Sequence, residues 1–191
     1  MVAFVLADGV LGQMIEPLRF PETSVHPQTD TSWAVDGTAA TRPNVVTSIF
    51  LNFDKQEAFN RQLQDKYAAV EAAEARHEAY LLEDADIALV AYGISARIAL
   101  GAVDAARAEG LRVGLFRPQT LYPFPAAALQ EFVARGGKQL ISVEMSNGQM
   151  RDDIKLAIEC RCPVHLVSRL GGNLVTAAEI LERVRAIAQP A

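Results

Sequence analysis

Four turns carry the residues best suited to chemistry. Tyr92-Gly93-Ile94-Ser95 opens a helical pattern with small residues, whose backbone N–H groups could meet an anion. The glycine fingerprint of a dinucleotide site is missing. Ile98 stands in the third glycine's place, and no acidic residue caps the next strand to grip a ribose. N-capping by Ser95 is the simpler reading. The second turn, Arg117-Pro118-Gln119-Thr120-Leu121-Tyr122-Pro123-Phe124-Pro125, holds three prolines in eight positions. Each proline fixes φ and removes a donor, so this is a rigid loop and neither helix nor central strand. With Arg117 at its base, Thr120 along it and Tyr122 and Phe124 at its tip, it suits docking against another surface. Rigidity for local packing is equally open.

The third turn, Glu144-Met145-Ser146-Asn147-Gly148-Gln149-Met150, sets a carboxylate, two amides and a glycine between strand and helix. Glu144, Asn147 and Gln149 could bind a polar ligand or a partner. One carboxylate without a neighbouring His or second acid is no acid–base pair, so no catalytic residue is assigned. The fourth, Arg169-Leu170-Gly171-Gly172-Asn173, could cradle a phosphate or simply turn the chain. The three histidines (His26, His77, His165) have no metal-ligand spacing, and no nucleophile–base–orienter set is present, so no metal site is expected. Cys160 and Cys162 are too few for an iron–sulfur cluster, which takes four thiolates. Their spacing would strain a mutual disulfide, so two reduced thiols, one of them buried, are expected in a reducing cytoplasm.

The chain of 191 residues divides, at ~150 residues per domain, into one domain and a remainder. Half the residues are hydrophobic and a fifth charged, which is a globular composition and excludes a disordered tail. With 18 basic against 23 acidic residues the net charge is −5, and no basic stripe appears, so nucleic acid is not an expected partner. No stretch reaches the ~20 apolar residues of a membrane span. The apolar opening, residues 1–7, lacks the basic flank of a signal peptide and stops at Asp8-Gly9. It predicts a buried parallel strand ending at a turn.

The elements that must position these turns follow from periodicity. Residues 1–14 form a stub, and 15–49, with Pro17, Pro21, Pro27 and Pro43, a linker in which Trp33 would plug a neighbour's apolar gap. The domain occupies 50–191. Asp54 and Glu57 resemble a capping box, and Phe59, Leu63, Tyr67, Val70, His77 and Leu81 then lie on one helical stripe, with His77 a packed residue rather than a ligand. Beyond residue 84, strands over 87–92, 112–116, 139–144 and 164–167 alternate with helices over 95–109, 126–134, 150–160 and 177–188. Uniformly apolar strands between amphipathic helices predict right-handed crossovers: a three-layer, doubly wound α/β domain around a mostly parallel sheet. Ligands and partners would gather at the strands' C-terminal ends.

The order of these motifs resembles the alpha subunits of 2-oxoacid:ferredoxin oxidoreductases, particularly the branched-chain (2-oxoisovalerate) type. Residues 6–17 (LADGVLGQMIEP) are similar to the end of that subunit's pyrimidine-binding domain. Tyr92-Gly93, Arg117-Pro118 with Thr120-Leu121 and Pro123-Phe124-Pro125, and Val143-Glu144-Met145 with Gly148-Gln149-Met150 are similar to its C-terminal domain. The resemblance implies a transketolase C-terminal-like fold. It implies an enzyme that decarboxylates a 2-oxoacid on thiamine diphosphate, passes electrons through iron–sulfur clusters to ferredoxin and hands the acyl group to coenzyme A. It also implies that beta and gamma/delta subunits hold the diphosphate, magnesium and clusters. Only the last strand and exit loop of the upstream domain would be present here, so this chain alone would bind none of these cofactors and be inactive. The proline-rich loop and the Glu144–Met150 turn would face the catalytic half. Two other readings stay open: a stand-alone coenzyme A- or nucleotide-binding domain using Ser95 or Gly171-Gly172, and a structural module forming a homodimer.

Overall fold

The computed structural model describes residues 4–23 and 30–188. The chain divides into two compact units, Met1–Gln64 and Asp65–Ala191. The boundary falls inside the first helix.

The first unit is built from turns. Asp8 Oδ1 accepts the N–H groups of Val10 and Leu11 at 2.9 and 2.8 Å and fixes the turn that leads into a 3₁₀ segment, Leu11–Gln13. Asp36 accepts from the Thr38 N–H and the Thr41 hydroxyl, which hold its carboxyl down at about 2. Among its described residues there is no strand. The strand expected over 1–7 is therefore corrected for residues 4–7, where Phe4, Val5 and Leu6 are exposed. A strand needs a neighbour for its ladder, and none of the described residues here supplies one. Trp33 is 54% exposed rather than plugged into a gap. His26 and Pro27 lie outside the described residues. Helix α1, Phe53–Glu74, starts on Asn52, whose Oδ1 accepts the Lys55 N–H at 2.9 Å. This corrects the cap expected at Asp54.

The second unit holds the sheet. Its strands are β1 (His77–Tyr80), β2 (Ile87–Ala91), β3 (Val113–Pro118), β4 (Gln139–Glu144) and β5 (Val164–Ser168), in the order β1-β3-β2-β4-β5. Four run parallel; β1 pairs antiparallel with β3. Helices α2 (Gly93–Ala108) and α5 (Ala177–Ala188) cover one face, packing Val103, Ala106, Ile180 and Val184 against Leu89, Leu115 and Val143. Helices α3 (Ala126–Ala134) and α4 (Gln149–Ala157) cover the other, around Phe116, Phe132, Leu140 and Ile154. Strand β2, IALVA, is buried at every position, as a parallel strand covered on both faces must be. The three-layer, doubly wound reading holds.

The largest departure lies before β2. The helical stripe through His77 and Leu81 ends at Glu74, and His77–Tyr80 is the edge strand β1. Its register sets Glu78 opposite Arg117, and the His77 ring stacks on Phe116 with centroids 4.8 Å apart. Pairing with an otherwise open sheet edge wins over prolonging a helix that gains little from packing: α1 has no fully buried residue. Gly114 makes the return from β1 possible. A Cβ there would lie 2.4 Å from the Leu81 carbonyl oxygen, so only glycine lets this backbone cross β3 so closely. Arg107 of α2 then fastens the turn, donating to the Leu81 carbonyl at 2.7 Å and to both carboxylate oxygens of Asp84.

Candidate functional site

Strand β2 feeds α2 on one face, while its neighbour β4 feeds α4 on the other. The C-terminal ends of β2 and β4 therefore border the topological switch point, where a doubly wound sheet opens a crevice. Around this edge stand all four turns read from the sequence, and each is now resolved into contacts.

At Tyr92-Gly93 the helix begins without a side-chain cap: Tyr92 occupies the N-cap position and Ser95 is buried within the first turn. The expected Ser95 cap is thereby corrected. The turn after β4 is closed by its own carboxylate. Glu144 is 1% exposed and accepts from Ser142 Oγ at 2.7 Å, from Ser146 Oγ, and from the N–H groups of Met150 and Arg151 at 3.2 and 3.1 Å. Those two N–H groups belong to the first turn of α4, which would otherwise attract an external anion. Glu144 therefore faces inward as the cap of α4, while Asn147 and Gln149 are exposed on the turn's rim. The glycine turn Gly171-Gly172 does not open directly into a helix. At α5, Thr176 Oγ1 accepts the Glu179 N–H at 3.2 Å and Glu179 Oε2 accepts the Thr176 N–H at 2.8 Å, a capping box that seals that end. Arg169 pairs with the same Glu179, and its guanidinium holds that carboxyl below its usual range.

The proline-rich loop splits in two. Its first half is tied to the edge strand: the Arg117 guanidinium bonds Glu78 at 2.7 Å, Thr120 Oγ1 accepts the Arg76 N–H at 3.0 Å, and the Gln119 N–H reaches the Arg76 carbonyl at 2.9 Å. Its second half borders an open cleft of about 790 Å³ within the second unit. Tyr122 and Phe124 line it with His77 of β1, Glu71 of α1, Glu131 of α3 and Asp153 of α4, over a floor of alanines. Tyr122 is 65% exposed, whereas Phe124 is half-buried and packs on the Phe116 and Phe132 side of the core. Local packing, one of the two readings left open by the sequence, is thus seen for Phe124, while Tyr122 stays open to solvent. Of the seven candidates, only Tyr122 and Phe124 share this cleft. Glu71, Glu131 and Asp153 were missed, because they come from three helices whose spacing carries no common signal.

Among the described residues, no group of three His, Cys, Asp or Glu side chains could hold a metal ion. Cys160 is an exposed thiol and Cys162 a half-buried one, whose pKa burial pushes up. No helix of the described residues is long and apolar enough to cross a membrane.

The class defined by this sheet is found in solved structures. The 2-oxoglutarate:ferredoxin oxidoreductase from Magnetococcus marinus, with 2-oxoglutarate, coenzyme A and succinyl-CoA bound, shares the fold over 73% of this chain and 24% of its own, with a TM-score of 0.60 at 23% identity. A split-gene transketolase shares it over 58% of this chain and 40% of its own, with a TM-score of 0.50 at 22% identity. This is a doubly wound domain of transketolase type. Residues 85–180, from just before β2 into α5, match the family model of the pyruvate:ferredoxin oxidoreductase core domain II, and the chain belongs to that family. Ketoisovalerate oxidoreductase subunit VorB of Methanothermobacter marburgensis is 60% identical over 96% of this chain, and that of Methanothermobacter thermautotrophicus 58% identical over the same share. In both, the match covers 52% of the relative, so the chain spans about half the length of these curated proteins. The 2-oxoglutarate synthase subunit KorA of M. marburgensis is 34% identical over 53% of this chain and 27% of its own length.

Proposed function

We propose that this chain is the C-terminal part of the alpha subunit of a 2-oxoacid:ferredoxin oxidoreductase of the branched-chain (2-oxoisovalerate) type, and that it serves assembly rather than chemistry. The observation that carries the reading is the 60% identity, over nearly the whole chain, to a ketoisovalerate oxidoreductase subunit. The alpha assignment rests on the motif order at 6–17, 92–93, 117–125 and 143–150. Residues 1–14 are the end of a pyrimidine-binding domain, 15–49 the linker and 50–191 the C-terminal domain. Working in the cytoplasm with beta and gamma/delta subunits, the complex converts a 2-oxoacid and coenzyme A to carbon dioxide and an acyl-CoA, and ferredoxin takes the electrons. Thiamine diphosphate, when bound, supplies the carbanion stabilisation for decarboxylation, and other subunits hold it with its magnesium and the clusters. This chain's part is the outward face of the proline-rich loop. The closed ends of α4 and α5, occupied by Glu144 and Glu179, favour this reading over a phosphate-binding module.

A substrate panel tests the assignment. The purified complex containing this chain should reduce a viologen dye fastest with 2-oxoisovalerate and coenzyme A. A clear preference for 2-oxoglutarate or pyruvate would overturn the branched-chain type, and no activity with any of the three would overturn the oxidoreductase reading.

A further inference from the structure

The cleft beside the proline-rich loop is lined by carboxylates. Glu71, Glu131 and Asp153 converge on it from α1, α3 and α4, and no Lys or Arg lines it. None of the three carboxylates has a Lys or Arg partner among the described residues. Several other carboxylates of this unit are matched: Glu78 with Arg117, Asp84 with Arg107, Asp86 with Arg112 and Lys138, Glu109 with Arg185. Three unmatched negative charges around one concavity repel one another and give it a negative potential that a cation relieves. The apolar side of the cleft is exposed too, with Tyr122 at 65% and Leu121 at 48%. The Tyr122 ring offers an additional face to a guanidinium or ammonium.

We infer that this cleft is the docking site for a basic, partly apolar segment of another subunit, one whose Arg or Lys side chains reach Glu71, Glu131 and Asp153 while its apolar residues cover Leu121 and Tyr122. The inference rests on the oxidoreductase reading and deepens it by naming the chemistry of the partner. A polypeptide fits better than a small hydrated cation, which would satisfy the charges and leave the two apolar side chains in water. Pro123 and Pro125, both buried, fix the loop that presents them, so little freedom is lost when the partner docks. Complementary charge at such a site acts mainly on the association rate and on its dependence on salt.

The test uses the assembled complex. A carbodiimide, which joins carboxylates to lysines in direct contact, is applied and the cross-linked peptides are identified by mass spectrometry. Links from Glu71, Glu131 or Asp153 to a lysine of another subunit are expected. In parallel, the triple variant Glu71→Gln, Glu131→Gln, Asp153→Asn should bind its partner subunit about tenfold more weakly at low salt, with a flattened salt dependence. Glu182→Gln, on the exposed side of α5, serves as control and should change neither. The neutral replacements keep shape and sit on the surface, so an unchanged melting temperature separates lost docking from lost folding. Unchanged affinity and salt slope in an active complex would overturn the cleft inference and leave the oxidoreductase reading standing. So would saturable binding of spermidine in the cleft without any intersubunit cross-link. Failure of the chain to enter any oxidoreductase complex would overturn both.

Discussion

Tyr67 and Tyr122 meet edge to face, with ring centroids 6.5 Å apart and planes at 81°. The contact joins the last turns of α1 to the proline-rich loop and holds the Tyr122 ring without covering it. Two residues on, Phe124 turns inward and packs on the core. A loop fixed by prolines thus presents one aromatic to its own domain and one to the outside. Exposed aromatics held in a fixed position are the usual anchors of protein interfaces.

Substitution should separate the two. Tyr122→Ala removes an edge-to-face contact worth about 1 kcal/mol to the fold, yet should weaken subunit assembly by roughly 2 kcal/mol or more if the ring is a hot spot. Phe124→Ala should lower the stability of the domain by about 2 kcal/mol through lost packing. Urea unfolding of each variant and its affinity for the partner subunits decide the matter. Equal loss of stability in both would mean that the whole loop is core.

Glu144→Ala should be among the most damaging single changes. It strips acceptors from two buried or half-buried N–H groups of α4 and from two serine hydroxyls, at a cost of about 3 kcal/mol or more. Glu144→Gln keeps one acceptor and should cost less. If Glu144→Ala unfolds at the wild-type urea concentration, the carboxylate is not the cap described here.

Two glycines should respond to alanine for different reasons. At Gly114 the new Cβ would strike the Leu81 and Leu82 backbone, which cannot swing aside, and about 3 kcal/mol is expected. At Gly148, with φ of 96°, the nearest atoms belong to the Arg151 side chain, which can move. Only the backbone strain of about 1 kcal/mol remains there. Differential scanning calorimetry should rank Gly114→Ala well below Gly148→Ala.

His165 of β5 should make stability depend on pH. Its Nε2 lies 2.8 Å from Gln139 Oε1 and its Nδ1 2.8 Å from the Arg183 guanidinium. The neutral ring, with its proton on Nε2, satisfies both. Burial, and secondarily the Arg183 charge, lower its pKa below the ordinary 6.5. The unfolded chain therefore takes up this proton at a higher pH than the folded one does. The contribution is fully present above about pH 6.5 and is lost as the pH falls from there through the folded-state pKa. Urea midpoints should decline over that interval, and His165→Gln should flatten the decline. An unchanged slope in the variant would assign it to other groups.

Much of this architecture is legible in the sequence alone. The strands over 87–92 and 139–144 and the helices over 126–134 and 177–188 were found almost to the residue, because buried parallel strands and amphipathic helices write opposite periodicities. Strand β1 was not legible. HEAY carries no alternation of its own, and what makes it a strand is the free edge of β3, a partner distant in sequence. Glu144 was visible as a carboxylate in a turn, but nothing in its neighbours says that the turn closes over it. The carboxylates of the cleft were invisible for the same reason: α1, α3 and α4 bring them together only after the sheet has formed.

The most direct measurement is oxoacid- and coenzyme A-dependent dye reduction by the purified chain alone, set beside the assembled complex that contains it. The isolated chain should show none and should bind thiamine diphosphate no better than background, while the complex reduces the dye. Dye reduction by the chain alone would contradict an assembly role outright.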